Sequence, residues 1–127
     1  MTETARGTFE VTITPQPPDD SGFGRFDLAK TWSGDLTGTS QGLMLSAGDP
    51  GQGRAGYVAL EVCEATLGGH SGSFAFQQLG VMRPEGQELR YDIVPGSGSG
   101  ELAGIEGSLA LTIDDEGHTY ELTYTLG

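Results

Sequence analysis

The segment Tyr57-Val58-Ala59-Leu60-Glu61-Val62-Cys63-Glu64 sets a carboxylate inside an otherwise apolar run. Extended backbone puts Val58, Leu60, Val62 and Glu64 on one face and Tyr57, Ala59, Glu61 and Cys63 on the other. The second face is small and polar behind an aromatic residue, the character expected of a cavity wall. Glu61 on such a wall is a buried acid suited to general acid or base work, whereas on a solvated wall it is an ordinary exposed glutamate. Neighbouring segments bring Phe76 and Gln78, Tyr91, and the single tryptophan, Trp32, onto faces that can converge with it. Tyr57, Trp32, Phe76 and Tyr91 would then shape an aromatic wall, with Cys63 and Gln78 as small and polar contacts, as a pocket for a small organic molecule requires. The same residues also suit a solidly packed interior.

Other chemical patterns are weaker. Gly51-Gln52-Gly53-Arg54-Ala55-Gly56 matches the dinucleotide fingerprint G-x-G-x-x-G, but that motif needs a helix to follow, and a strand pattern follows instead. Gly38-Thr39-Ser40-Gln41-Gly42 matches G-x-S-x-G, yet it lies inside a strand pattern, not at a strand-to-helix elbow. The two histidines, His70 and His118, fall in predicted turns far apart, so neither a metal centre nor a nucleophile–histidine pair is expected. Asp114, Asp115, Glu116 and His118 lack calcium-loop spacing and read as a solvated turn. Cys63 reads as a small buried hydrophobe.

The elements that must position these residues are strands. Eight blocks of period-two alternation, at about 7–14, 25–33, 36–46, 54–67, 71–82, 87–94, 100–113 and 118–126, are separated by glycine, proline and acidic clusters. Gly68-Gly69 supplies the strongest hairpin turn, because paired glycines accept the positive φ angles of a two-residue loop. Long loops are expected only at PQPPDDSGFG and AGDPGQG. Sequential hairpins of this kind predict an all-β chain, a single eight-stranded antiparallel up-and-down barrel over residues 1–127 whose centre can hold a cavity.

Composition agrees. The chain has 127 residues, including 22 glycines and 6 prolines, which argues against a helical bundle. With 18 acidic and 6 basic side chains the net charge is −12, which leaves no cationic surface for nucleic acid or anionic lipid. No apolar stretch approaches the ~20 residues of a membrane span, and the start lacks a signal-peptide pattern, so a cytoplasmic location is expected. One cysteine allows no internal disulfide.

Leu67-Gly68-Gly69-His70-Ser71-Gly72-Ser73-Phe74, the glycine-rich stretch from Val94 to Gly107, Gly7-Thr8-Phe9-Glu10-Val11 and Lys30-Thr31-Trp32-Ser33-Gly34-Asp35-Leu36 together resemble the DUF3224 family of uncharacterised bacterial proteins. The glycine-rich stretch is also similar to one in the wider allene oxide cyclase and dirigent barrel group, which implies an allene oxide cyclase-like barrel with a central cavity, often oligomeric. Glu61 matches a glutamate of the family pattern, while His70 and Gln78 stand where that pattern has arginine and histidine. The glycines themselves read as bulges and bends that let a barrel close.

The expectation is a barrel that binds a small apolar organic ligand, with a cofactor-independent cyclase or isomerase chemistry, assisted by Glu61, suggested by the resemblance. Two alternatives keep the same barrel: a non-catalytic carrier or sensor, and a solid-cored protein acting through its surface as a homo-oligomer. In the last, Val58, Leu60 and Val62 would be covered by a partner. No cofactor, metal, nucleic acid or membrane is called for.

Overall fold

A computed structural model describes residues 2–17, 19–114 and 117–126 of the chain. The strands are β1 (Glu3–Pro15), β2 (Gly24–Gly34), β3 (Leu36–Asp49), β4 (Arg54–Leu67), β5 (His70–Arg83), β6 (Gly86–Ile93), β7 (Ser99–Gly100), β8 (Glu106–Asp114) and β9 (Gly117–Thr125). All but β7 form a closed antiparallel barrel in the order β1-β2-β3-β4-β5-β6-β8-β9, with β9 returning to β1. The predicted all-β barrel is therefore the observed one. Closure gives each barrel strand a partner on both edges among the described residues, except along most of the β6–β8 seam, the arrangement that period-two alternation with short hairpins favours.

Two local expectations need correction. AGDPGQG is not a free loop: β3 runs on to Asp49, paired with Arg54, and the turn closes as a short 3-10 helix, Pro50–Gln52. The Asp49 side chain accepts the Gly51 N–H at 2.9 Å, and Gly53 ends the turn at φ 74°. A polar cap and a left-handed glycine thus make a compact hairpin from a sequence that composition alone marks as loop. The block expected at 100–113 is also broken. Ser99 and Gly100 form β7 and extend along β5 beyond the end of β6, and residues 101–105 then turn inward before β8 begins. The glycine-rich stretch therefore serves less as a strand bulge than as a plug, since it seats Leu102 and Ile105 fully buried at the barrel end.

Side-chain parity is regular. Phe9, Leu28, Lys30, Trp32, Leu36, Ser40, Ala59, Glu61, Cys63, Leu67, Phe74, Phe76, Gln78, Tyr91, Ile93, Leu109, Tyr120 and Leu122 are buried in the lumen, each two residues from the next on its strand or a multiple of two. The plugged end is dry, with Leu36, Leu67, Leu102, Ile105 and Leu122 sealed from solvent. At mid-height the rings of Phe9, Trp32, Phe76 and Tyr91 form a chain, with centroids 4.6 Å apart for Phe9–Trp32, 5.5 Å for Trp32–Phe76 and 5.0 Å for Phe76–Tyr91. The opposite end is open. Ile13, Leu89 and Ile113 fall on lumen-facing parity yet are 49%, 41% and 68% exposed. Leu89 and Ile113 flank the loosest seam of the barrel, where β6 and β8 are registered through one pair, Asp92 with Ser108.

Candidate functional site

Between the dry plug and the open mouth lies a buried polar cluster centred on Glu61. β4 aims Glu61 inward because alternation from Ala59 to Cys63 fixes its parity, and β2 aims Lys30 inward between Leu28 and Trp32 in the same way. The Lys30 Nζ lies 2.8 Å from Glu61 Oε1, a salt bridge with both side chains buried. Gln78 Nε2 donates to the same oxygen at 3.0 Å, and the Tyr91 hydroxyl donates to it as well. Ser40 Oγ donates to Oε2 at 2.6 Å and in turn accepts from Trp32 Nε1 at 3.1 Å. Lys30 also donates to the Tyr91 oxygen at 2.6 Å, and the Tyr57 hydroxyl donates to Gln78 Oε1 at 3.2 Å. Among the described residues, no buried side-chain polar atom lacks a partner. A buried charge pair survives only when its remaining donors and acceptors are satisfied this completely.

The ammonium has a second layer of support. It lies 5.1 Å from the ring centroid of Phe9 and 5.7 Å from that of Trp32, so two aromatic rings support its charge while Tyr91 meets it through the hydroxyl. Burial nevertheless holds the Lys30 pKa below its ordinary value, with the neighbouring Glu61 carboxylate only partly opposing it. Burial first, and Glu61 second, push the Tyr91 and Tyr57 hydroxyls upward. Burial likewise pushes the Cys63 thiol up to about 12. Its buried setting keeps the Cys63 thiol protonated at neutral pH.

Glycines make room for this cluster. Gly42 is the β3 partner of Glu61, and a Cβ there would lie 2.1 Å from the Leu60 carbonyl oxygen and 2.7 Å from the Glu61 Cβ. Gly80 faces Tyr57 on β5, and its missing side chain is the space occupied by the Tyr57 ring, 2.1 Å from where a Cβ would stand. That packing lays the ring over β5 toward Gln78.

Every residue singled out from the sequence as a candidate faces the lumen, but they divide by depth. Glu61, Gln78 and Tyr91 belong to the polar cluster, and Tyr57, half-buried, connects it with the open end. Trp32 contributes its ring to the filled middle and its N–H to Ser40. Phe76 and Cys63 are sealed packing residues.

Lys30 and Ser40 are the partners that sequence reasoning passed over. Lys30 is the one lysine of the chain and stands in the inward series Phe26, Leu28, Lys30, Trp32, where a cation on an apolar face signals a buried partner. Ser40 sits inside the G-x-S-x-G match, which is indeed strand, and carries an inward hydroxyl. His118 stands second in β9, at the start of the block expected at 118–126, with its ring stacked 5.0 Å from Phe9. Asp115 and Glu116, the other turn acids, lie outside the described residues.

A concavity of about 1120 Å³ lies elsewhere, along the outer wall, where Leu43, Leu45, Val58, Leu60 and Val62 point away from the lumen. The outward parity of these residues separates it from the polar cluster, although Glu61 and Gln78 also border it from the strands between them.

Residues 5–124 match the model of a family described as protein of unknown function, DUF3224. A solved structure from Shewanella oneidensis MR-1, of a protein with unknown function from the DUF3224 family, is 38% identical, with a TM-score of 0.90 over 98% of this chain and 97% of that one. No curated protein is similar to the chain at a significant level. A family match across nearly the whole barrel, joined to a solved relative of the same shape, means that this chain belongs to the DUF3224 family.

Proposed function

We propose that this barrel binds a small, largely apolar organic molecule in the open end of its lumen, above the Lys30–Glu61–Tyr91–Gln78 cluster. The observation that carries this reading is the change along the lumen axis. One end is sealed, the middle is a satisfied polar cluster, and the other end presents Ile13, Leu89 and Ile113 on lumen parity but open to solvent. Apolar walls over a few fixed polar groups are the usual makeup of a ligand site. A buried ion pair is costly relative to an apolar filling of the same volume, which supports a role for it beyond stability. A ligand hydroxyl or carbonyl entering from the mouth would meet Tyr57 and Gln78 first, and could exchange with the Tyr57–Gln78 hydrogen bond at small cost.

A second reading, proton-transfer catalysis of a cyclisation or isomerisation, is favoured by one feature. The Tyr91 oxygen accepts from Lys30 while its proton is held by Glu61. In such a step the Glu61 carboxylate would take a proton from one substrate atom and return it to another, while Tyr91 turned its O–H to the substrate oxygen without giving up the proton and Lys30 kept its bond to the Tyr91 oxygen.

Native mass spectrometry of freshly purified protein tests the binding reading. The expected result is a retained small molecule that disappears under denaturing conditions and is absent from a Leu89→Arg variant, but present in the outward-facing Thr123→Lys variant. Retention unaffected by Leu89→Arg would place the ligand outside the mouth. Absence of any retained mass, together with unchanged Trp32 emission on titration with apolar alcohols and ketones, would overturn the proposal. Substituting Tyr91→Phe then separates the two readings, since binding without conversion survives it and proton transfer does not.

A further inference from the structure

We propose that the outer wall of β3, β4 and β5 is the contact face of a two-fold homodimer in which two barrels meet with their axes crossed. Outward parity puts Leu43 and Leu45 on β3, Val58, Leu60 and Val62 on β4, and Leu79 on β5. Register aligns them in rows, with Leu45 beside Val58 beside Leu79 and Leu43 beside Leu60. Leu43 and Val62 are 57% exposed and Leu60 is 59% exposed. The rest of the outer wall is of another kind: β1 turns Thr8, Glu10, Thr12 and Thr14 outward, and β9 turns out Thr119, Glu121 and Thr123. Apolar side chains are therefore gathered on one sector of the barrel, where solvation alone would favour the threonine and glutamate pattern of the others.

Size, charge and shape together select a second copy as the occupant. Six large apolar side chains, each about half exposed, amount to roughly 500 Å², near the upper end for a patch on a monomer and most of the ~800 Å² each partner gives to a standard interface. The rows carry no charged side chain, so two chains of net charge −12 can approach there with the least repulsion. Both rims carry a mixed-sign pair, Arg25 with Asp19 at 3.2 Å on one side and Arg90 with Asp92 at 3.2 Å on the other. A two-fold axis within the interface and parallel to the strands carries one rim over the other, so each arginine can face a carboxylate of the other copy. An anionic lipid surface would meet the same net charge unfavourably.

The wall also has the shape for self-contact. A twisted barrel is hyperboloid, convex around its girth and concave along its length, and the 1120 Å³ concavity on this sector is lined also by Gln16, Asp19, Ser21 and Phe23 of the segment between β1 and β2. The complement of such a saddle is the same saddle turned through a right angle. Barrel strands tilt about 35–45° to the barrel axis, so a two-fold axis along the strands crosses the two barrel axes at about 70–90°.

Sedimentation equilibrium of the full chain is the test. The wild type should weigh twice the 13.2 kDa of one chain. Leu60→Lys and Val62→Lys should each halve the mass with unchanged far-ultraviolet circular dichroism, since both positions point away from the core. Mild oxidation of Leu60→Cys should give a covalent dimer, because a two-fold axis through the middle of β4 brings the two copies of this position together. Cys63 is buried and gives no such product in the wild type. A wild-type mass of one chain at every concentration overturns the proposal, as does a mass of three chains or a dimer untouched by both lysine substitutions. Flotation of single chains with phosphatidylserine vesicles would assign the wall to lipid instead. Neither the lumen ligand nor its absence bears on these outcomes.

Discussion

Glu61 receives hydrogen bonds from Lys30, Ser40, Gln78 and Tyr91, so each of its two oxygens is committed before any ligand arrives. The energetic weight of the cluster is uneven. Removing Lys30 leaves a carboxylate in the lumen without its cation, the arrangement that costs most. Lys30→Met should therefore destabilise the barrel by about 3–5 kcal/mol. Glu61→Gln should cost less, because burial already holds the Lys30 pKa down and the amine can shed its proton when the carboxylate is gone. The double variant Lys30→Met with Glu61→Gln should recover much of the loss, since neither side chain then carries charge. Urea denaturation of the two singles and the double closes the cycle. A double variant as unstable as the sum of the singles would show that packing volume, and not charge, holds the cluster together.

At the scale of elements, what the strands place in the lumen depends on what they omit. Gly42 has no side chain where one would strike the Leu60 carbonyl and the Glu61 Cβ, and the obstruction at 2.1 Å is backbone, which cannot swing aside. Gly42→Ala should therefore push β3 away from β4 and cost about 1–3 kcal/mol, read as a lower urea midpoint. Gly80→Ala meets only the Tyr57 ring, which can rotate, and should cost less while breaking the Tyr57–Gln78 hydrogen bond. Equal losses at the two positions would contradict the distinction between backbone and side-chain obstruction. Strand alternation was legible in the sequence because period two survives in every block except 100–113, where residues 101–105 interrupt it. It put Glu61, Tyr57 and Cys63 on one face, with Trp32, Phe76, Gln78 and Tyr91 on faces that could meet it, and all of these face the lumen. Depth was not legible. Whether an inward residue reaches solvent depends on where the barrel is plugged, and the plug comes from Leu102 and Ile105 in a segment whose glycines suggested bulges. Lys30 was missed for a related reason: a single lysine is ordinary in composition, and only the register of β2 against its neighbours brings it within 2.8 Å of Glu61.

For the molecule as a whole, the same burial that fills the lumen limits the pH range of the fold. The Cys63 thiol rises from an ordinary 9.0 to about 12 in the folded chain, and burial pushes the Tyr91 hydroxyl upward too. Both groups stay protonated in the folded barrel at pH values where the unfolded chain has released the proton. The folded state then binds more protons than the unfolded state, and stability must fall as pH rises. For Cys63 the loss begins near 9 and continues to about 12. Lys30 acts in the opposite direction, because its folded pKa is depressed and its contribution rises with pH from that lowered value up to 10.5. A Cys63→Ala comparison separates the thiol from the lysine and the tyrosines. Between about pH 8 and about pH 10.5 the wild type should lose about 2 kcal/mol more than Cys63→Ala, following ~1.4 kcal/mol per pKa unit over the titrated interval. The cavity left by the smaller side chain lowers the variant's stability at both pH values alike and cancels in the difference. Parallel urea-derived stability curves for the two proteins across that interval would mean that water reaches Cys63, and that the sealed half of the lumen is open after all.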